Sequence, residues 1–172
     1  MTSQTRSEQK HVASDFGFQE HEHATCIQNS IAMAEAHCAE AGLNFTPVRR
    51  KVLELLLQEH RALGAYAILD MLREAGFGSQ PPVAYRALDF LTRHGFAHKV
   101  ERLNAFVACT HPGRSHSPAF MICRLCDAVS EARFGPDMGA MDDMARLVGF
   151  QIEKTVFEAE GVCPDCVGKT EA

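Results

Sequence analysis

Two pairs of cysteines constrain this chain more than any other feature of its sequence. Cys123 and Cys126 form the first pair, and Cys163 and Cys166 form the second, with two residues between the cysteines of each pair. A pair at this spacing presents two thiolates from one tight turn, and two such pairs complete a tetrahedral four-cysteine zinc site. Such a site leaves no coordination position open, so the metal is structural and its binding energy is folding energy. The sequence therefore predicts that the two pairs lie side by side in the fold.

Two other interpretations of the cysteine pairs stay open, namely redox chemistry and ordinary buried thiols. The chain has seven cysteines, and its first ten residues are polar and lack the apolar stretch of a secretory signal. This combination favours metal or redox chemistry in a reducing compartment over a disulfide scaffold. No apolar run approaches ~18 residues, so we expect a cytoplasmic protein with no membrane-spanning segment.

The middle of the chain has the pattern of a winged helix-turn-helix. A Thr46-Pro47 step is a strong helix start, since Thr caps the first turn and Pro fits the first helical position. The predicted elements are helices over residues 23–41, from 46 onward, 65–75 and 79–94, and then strands over residues 97–103 and 105–109. Asn104 falls in the turn between the two strands.

The fourth predicted helix is the candidate recognition element for DNA. Its inward stripe is Ala84, Leu88 and Leu91, and Tyr85 and Arg86 lie off this stripe. They stand near the N-terminus of the helix, which is the end that meets base edges in this motif. The helix is therefore predicted to present a tyrosine and an arginine to the major groove.

The charge distribution agrees with an anionic partner for this segment. Residues 44–103 carry nine basic and six acidic residues, a net charge of +3, whereas each flanking segment carries −4. Tyr66, on the third predicted helix, is a further candidate for contact with a phosphate or a thymine methyl group. The competing explanations are packing for Tyr66 and an i,i+3 ion pair with Asp89 for Arg86.

The last third of the chain changes character. Strands are predicted over residues 120–123 and 128–134, a Met-rich helix over 136–148, and a last strand over 150–159. This unit is small for a core of its own and would gain by dimerising. We therefore expect an α+β fold, with an N-terminal winged helix-turn-helix followed by a small α/β dimerisation domain. The expected division is a flexible polar tail over 1–22, a DNA-binding domain over 23–108, and a dimerisation and zinc-binding domain over 109–172.

A second set of metal-binding residue types lies around the predicted domain boundary. It comprises His98, Cys109, His111, His116 and Glu131. One thiolate and one carboxylate neutralise a divalent cation, and thiolate with imidazole favours zinc over harder ions. Ligands from both sides of the boundary would fix one domain on the other. The alternatives are a solvated histidine beside Lys99 and a cysteine that only fills the core.

These residues in combination resemble a known family. The runs PPVAYRALDFL at 81–91 and GFAHKVE at 95–101, with the second set and the cysteine pairs, are similar to the ferric uptake regulator family, in its zinc uptake regulator branch. The resemblance covers about residues 32–168. It implies a dimeric repressor with structural zinc on the cysteine pairs and regulatory zinc on His98, Cys109, His116 and Glu131, which makes two zinc ions per subunit. His111 ranks below His116 as a ligand.

The expected function is therefore that of a zinc-responsive repressor. As a homodimer it would bind a palindromic operator in double-stranded DNA when zinc is plentiful and repress zinc-uptake genes. A sibling regulator of iron, manganese or peroxide is the first alternative, and Cys109 disfavours it. A zinc-buffering module without DNA binding is another. Neither HExxH nor H-x-E with P-C-x-x-C occurs, so we expect no catalytic activity.

Overall fold

The computed structural model describes residues 23–59, 61–78, 80–110, 112, 117–132 and 139–167. The predicted tail over residues 1–22 lies outside these ranges. The elements are, in order, α1 (His23–Glu40), α2 (Pro47–Gln58), α3 (Ala65–Glu74), α4 (Pro81–Arg93), β1 (Ala97–Val100), β2 (Ala105–Ala108), β3 (Ala119–Cys123), β4 (Val129–Ala132), α5 (Gly139–Leu147), β5 (Phe157–Gly161) and α6 (Pro164–Val167).

The first four helices pack around one apolar core. The start of α2 is fixed as the sequence predicts, because the Thr46 hydroxyl accepts from the backbone N–H of Arg49. Phe45 and Phe90 bring the start of α2 against α4, with ring centroids 6.5 Å apart. The predicted inward stripe of α4 is confirmed, since its three members are at most 1% exposed. The buried members of this core include Ile31, Ala34, Val52, Leu56, Ile68, Leu72, Leu88, Leu91 and Phe96.

The hairpin of β1 and β2 is the wing. The two strands are antiparallel, and His98 lies opposite Val107. Asn104 adopts φ +46°, which asparagine tolerates better than most residues, so the predicted turn position is confirmed. The strand predicted to reach residue 103 ends at Val100 because a turn occupies residues 101–104.

The second sheet has the strand order β4-β3-β5. β3 pairs antiparallel with β4 and parallel with β5. The last strand was predicted over residues 150–159, and this is wrong in extent. Residues 151–156 lie outside regular structure, and β5 covers the five positions that pair with β3, from Ala119↔Phe157 to Cys123↔Gly161. Of the predicted helix over 136–148, the described part is α5, and residues 136–138 lie outside the described ranges.

A second apolar cluster lies across the predicted boundary between the domains. Val100 of the wing is buried with Phe120 and Ile122 of β3. Partly buried side chains from both sides complete it, namely Ala62, Leu103, Val107, Val129 and Val156. The wing therefore rests on one face of the second sheet. Within the described ranges, no helix has the length and apolar character needed to cross a membrane.

Candidate metal centres and nucleic-acid interface

The two cysteine pairs come together at one end of the second sheet. The Sγ atoms of Cys123, Cys126, Cys163 and Cys166 all lie within 4.8 Å of one another. Zn–S bonds of ~2.3 Å in a tetrahedron place sulfur atoms about 3.8 Å apart. The Sγ atoms of Cys126 and Cys163 are 3.7 Å apart. Four thiols at this spacing fit one zinc ion, and the structure thus brings together the predicted structural site.

The local backbone prepares one of these thiols to ionise. The backbone N–H of Cys163 donates to Sγ of Cys123 over 3.3 Å. This hydrogen bond is the main reason why the pKa of Cys123 is lowered to about 6. Burial acts in the opposite direction, and backbone hydrogen bonds from residues 125 and 126 lower the pKa further. The hydrogen bond with the neighbouring thiol of Cys163 is the main reason why the pKa of Cys166 is raised to about 12, and the thiol of Cys126 and burial act in the same direction. A thiolate thus forms readily at Cys123, whereas Cys166 needs a cation beside it before it ionises.

The second set of predicted ligands is partly assembled as well. Ligand atoms of His98, Cys109 and Glu131 lie within 4.8 Å of one another. His98 Nε2 is 3.2 Å from Oε1 of Glu131, whose side chain is 2% exposed. Zinc bonds of 2.0–2.2 Å to nitrogen and oxygen separate two tetrahedral ligands by about 3.4 Å. An imidazole, a thiol and a carboxylate at these separations fit a zinc ion.

Three elements position these side chains. His98 is on β1, Glu131 is on β4, and Cys109 directly follows β2. The backbone N–H of Cys109 donates to the carbonyl of Phe96 over 2.9 Å, which extends the wing pairing by one residue. The ring of His98 lies against Phe120 of β3, with centroids 5.9 Å apart. Both wing strands and the second sheet are therefore needed to build the site.

Sequence reasoning missed Thr110, which orients the carboxylate of Glu131. Its backbone N–H and its hydroxyl each donate to Oε2 of Glu131 over 2.9 Å. Groups that hold a ligand in place in this way raise metal affinity. The available signal was the position of Thr110 next to a proposed thiolate ligand.

Two histidines were also predicted near this site. His116, the proposed fourth ligand, and His111, the alternative, both lie outside the described residues. The fourth position of this site therefore stays a prediction.

The candidate recognition helix, α4, and the preceding helix α3 present their predicted residues to the exterior. Tyr85 on α4 is 48% exposed, and Tyr66 on α3 is 69% exposed, so neither is a core residue. Arg86 does not pair with Asp89, which instead binds Arg93 over 2.6 Å. The guanidinium of Arg86 instead donates to the carbonyl of Pro82 over 3.1 Å.

A cleft of about 260 Å³ between α2 and α4 adjoins this face, and Arg49 and Arg86 line it. The guanidinium of Arg49 also stacks on the ring of Phe90, 3.7 Å from its centroid. Other cations of the basic middle segment, residues 44–103, form ion pairs within the chain. Lys51 is paired with Glu54, and the two wing cations Lys99 and Arg102 are paired with Glu101 and Glu160.

Comparison with known proteins adds the family. The zinc uptake regulation protein of Escherichia coli (strain K12) is 41% identical to this chain over 144 residues, which are 83% of this chain and 84% of that protein. This chain belongs to the zinc uptake regulator branch of the ferric uptake regulator family. No family model matches it.

Two solved structures of zinc uptake regulators share the fold. A zinc uptake regulator in complex with zinc and DNA is 39% identical, with a TM-score of 0.81, and the match covers 85% of this chain and 98% of that one. The crystal structure of holo XcZur is 40% identical, with a TM-score of 0.73, over 80% of this chain and 96% of that one. The α+β fold expected from the sequence is thereby confirmed.

Proposed function

We propose that this zinc uptake regulator is a homodimeric repressor whose binding to a palindromic operator is promoted by zinc. The observation that carries the proposal is the meeting of His98, Cys109 and Glu131 within 4.8 Å at the place where the wing rests on the second sheet. A solved relative is bound to zinc and DNA, which supports the same two ligands here. In this role the protein represses zinc-uptake genes in the cytoplasm, and we assign it no catalytic activity.

Two zinc ions per subunit are part of the proposal. Cys123, Cys126, Cys163 and Cys166 hold the structural ion, and His98, Cys109, His116 and Glu131 hold the regulatory ion. When bound at the second site, zinc supplies coordination bonds that join β1 to β4. Thr110 keeps the Glu131 carboxylate aimed at His98, and Phe120 supports the imidazole ring. These contacts fix the orientation of the wing, and of α4 with it, on the second sheet.

The grip on DNA is proposed to come from α4 and α3. Arg86 pairs with a guanine, and Tyr85 and Tyr66 contact bases or backbone, since all three side chains lie on the exterior. Two recognition helices of a dimer then reach adjacent major grooves about 34 Å apart. Arg50 is placed to support a phosphate contact, because its ion pair with Glu35 is exposed, and such pairs are weak and exchange readily for phosphate. Arg49 is placed to do the same, because it lines the cleft beside Arg86.

The dimer is proposed to form through α5. None of the side chains of this helix is buried within one chain. Met141 and Met144 on the helix, with Val148 and Phe150 just after it, are all more than 50% exposed. An apolar surface of this kind is costly in water and is covered by a second subunit.

The test is operator binding with and without zinc. Fluorescence anisotropy on a labelled zinc-importer promoter should show binding in excess zinc and its loss with a chelator that strips the second site. Cys109→Ser should lose the zinc response. Cys38→Ala is the matched control, because Cys38 is 1% exposed in the first core and belongs to neither cluster. If the Cys109 variant keeps a full response, Cys109 is not a ligand of the regulatory ion. If wild type binds the operator equally with and without zinc, the proposed function is wrong.

The same assay separates zinc from the alternative metals. A thiolate at Cys109 with imidazole favours zinc over iron(II) or manganese(II). Binding promoted equally by iron(II), manganese(II) or peroxide would identify a sibling regulator instead.

A further inference from the structure

The turn of the wing is held by a carboxylate from the far strand of the second sheet. The backbone N–H of Glu101 donates to Oε1 of Glu158 over 2.6 Å, and that of Arg102 donates to Oε2 over 2.9 Å. Glu158 is on β5, and neither residue 101 nor 102 is near it in sequence. One side chain thus satisfies two successive amides of another structural unit, using both of its oxygens.

A second contact reinforces this one. Glu160 stands two residues further along β5, on the same face of the sheet, since strand side chains alternate. Its carboxylate is paired with the guanidinium of Arg102. The same residue of the wing turn is therefore held at its backbone by Glu158 and at its side chain by Glu160.

The register of the sheet relates this contact to the candidate zinc site. Phe120 on the central strand β3 lies opposite Glu131 on β4 and opposite Glu158 on β5. Directly opposed residues point to the same face of a sheet. The row Glu131–Phe120–Glu158 therefore faces the wing. Glu131 and Phe120 both contact the ring of His98 on the wing, and Glu158 contacts the wing turn.

We infer that Glu158 is a positioning residue that holds the wing on the second sheet independently of any metal at the second site. By fixing the turn at one end of the row, it keeps His98 opposite Glu131 at the other end. The zinc ligands contributed by the two units are then aligned before the ion arrives, and the ordering cost of binding falls. This inference deepens the proposed function and rests on it for the role of the wing in operator binding.

The consequence is a coupling between Glu158 and a metal site that it does not touch. If the wing is loosened, the ligands on β1 and β4 are aligned for less of the time, so the apparent zinc affinity of the second site falls. Zinc binding and operator binding both require the wing to be fixed on the second sheet. Loosening the wing therefore lowers the affinity for the operator as well as for zinc. The four-cysteine site is built without the wing and is unaffected.

The experiment uses the full-length protein with the four-cysteine site loaded. Wild type, Glu158→Ala, Glu158→Gln and the control Glu153→Ala are compared, Glu153 being an exposed carboxylate of the segment before β5. Amide hydrogen exchange is followed by NMR at residues 101 and 102, and zinc affinity is measured by chelator competition. We expect Glu158→Ala to speed exchange of both amides and to weaken zinc binding at the second site about fivefold to tenfold. Glu158→Gln, which keeps the shape and one good acceptor, should give a smaller effect.

The outcomes separate the two proposals. Retention of the structural zinc and an unchanged far-UV circular dichroism spectrum show that the variants fold. Unchanged exchange at residues 101 and 102, or a zinc affinity equal to that of wild type, overturns the role of Glu158. The anisotropy assay tests the proposed function separately, and wild type that binds zinc but no operator overturns that function. The exchange and zinc measurements still decide whether Glu158 positions the wing.

Discussion

His98 Nε2 lies 3.2 Å from Oε1 of Glu131, and the two residues belong to different sheets. His98 is on the wing that follows the recognition helix, whereas Glu131 is on an outer strand of the second sheet. A ligand that binds both side chains therefore fixes the contact between the wing and the second sheet. Under the proposed function, zinc held by both side chains would fix the placement of α4 relative to the second sheet.

The hydroxyl of Thr110 should tune the affinity of this site. Thr110→Val keeps the side-chain shape and the backbone donor but removes the hydroxyl that donates to Oε2 of Glu131. We expect zinc affinity at the second site to fall about tenfold, the usual cost of losing a group that orients a ligand. Chelator competition measures it. Thr92→Val is the matched control, because that hydroxyl donates to backbone carbonyls of α4. An equal loss in both variants would contradict the role of Thr110.

The four-cysteine cluster should control folding rather than regulation. Cys126→Ser removes one of four sulfurs that lie within 4.8 Å, so we expect loss of one zinc ion per subunit and a large fall in melting temperature. Elemental analysis and thermal circular dichroism follow the two effects together. Cys38→Ala changes a buried cysteine of the first core and should keep both zinc ions. A Cys126 variant with full zinc content would show that the cluster is not the structural site.

Arg86 should carry base recognition. Its side chain is exposed on α4 and does not bind Asp89, so it is available to a guanine. We expect Arg86→Ala to weaken operator binding by about 1–3 kcal/mol and to relax the preference at one base pair. Anisotropy titrations on operators substituted at each position measure both. Arg61→Ala, at a surface pair with Glu59, should change neither.

The apolar surface of α5 should be a subunit interface. Met144 is 61% exposed on this helix, and a carboxylate placed there would have to be buried in a dimer. We expect Met144→Glu to weaken the dimer by at least about 2 kcal/mol. Sedimentation analysis over a range of concentrations gives the dimer dissociation constant. Arg146→Glu adds the same group on the opposite side of the helix and should leave the dimer intact. A fully dimeric Met144 variant would place the interface elsewhere.

His94, which caps α4, should titrate below its ordinary pKa of 6.5. Burial lowers its pKa first, then the positive charges of Arg93, His37 and Arg49, while Asp89 has the opposite effect. In the pH window just below 6.5 the unfolded chain binds more protons here than the folded chain, so this group lowers stability as the pH falls. Arg93→Met removes a cation and releases Asp89 from its ion pair, so the pKa of His94 should rise. NMR titration of the ring checks this, with Arg73→Met on α3 as the control.

The local elements followed from local chemistry. The cap at Thr46 and the turn at Asn104 depend on contacts within a few residues, and the stripe of α4 follows from the helical repeat of its apolar residues. The structure has all three where the sequence predicts them. The last strand did not follow from such rules. The sequence predicted a strand over residues 150–159, but the strand extends only as far as β3 offers partners, so it lies at Phe157–Gly161.

The sequence by itself determined the chemistry of this protein, because thiols, imidazoles and carboxylates at these spacings restrict both the metal and its coordination. The second cluster was identified in part from family resemblance, and its fourth ligand, His116, remains a prediction. Only the tertiary structure decided how the wing meets the sheet. The row of Glu131, Phe120 and Glu158 joins three strands. The hydrogen bonds from the wing turn to Glu158 leave no periodic pattern in the sequence from which they could be predicted. Pairing between distant segments depends on the packing of the whole chain, which no local pattern encodes.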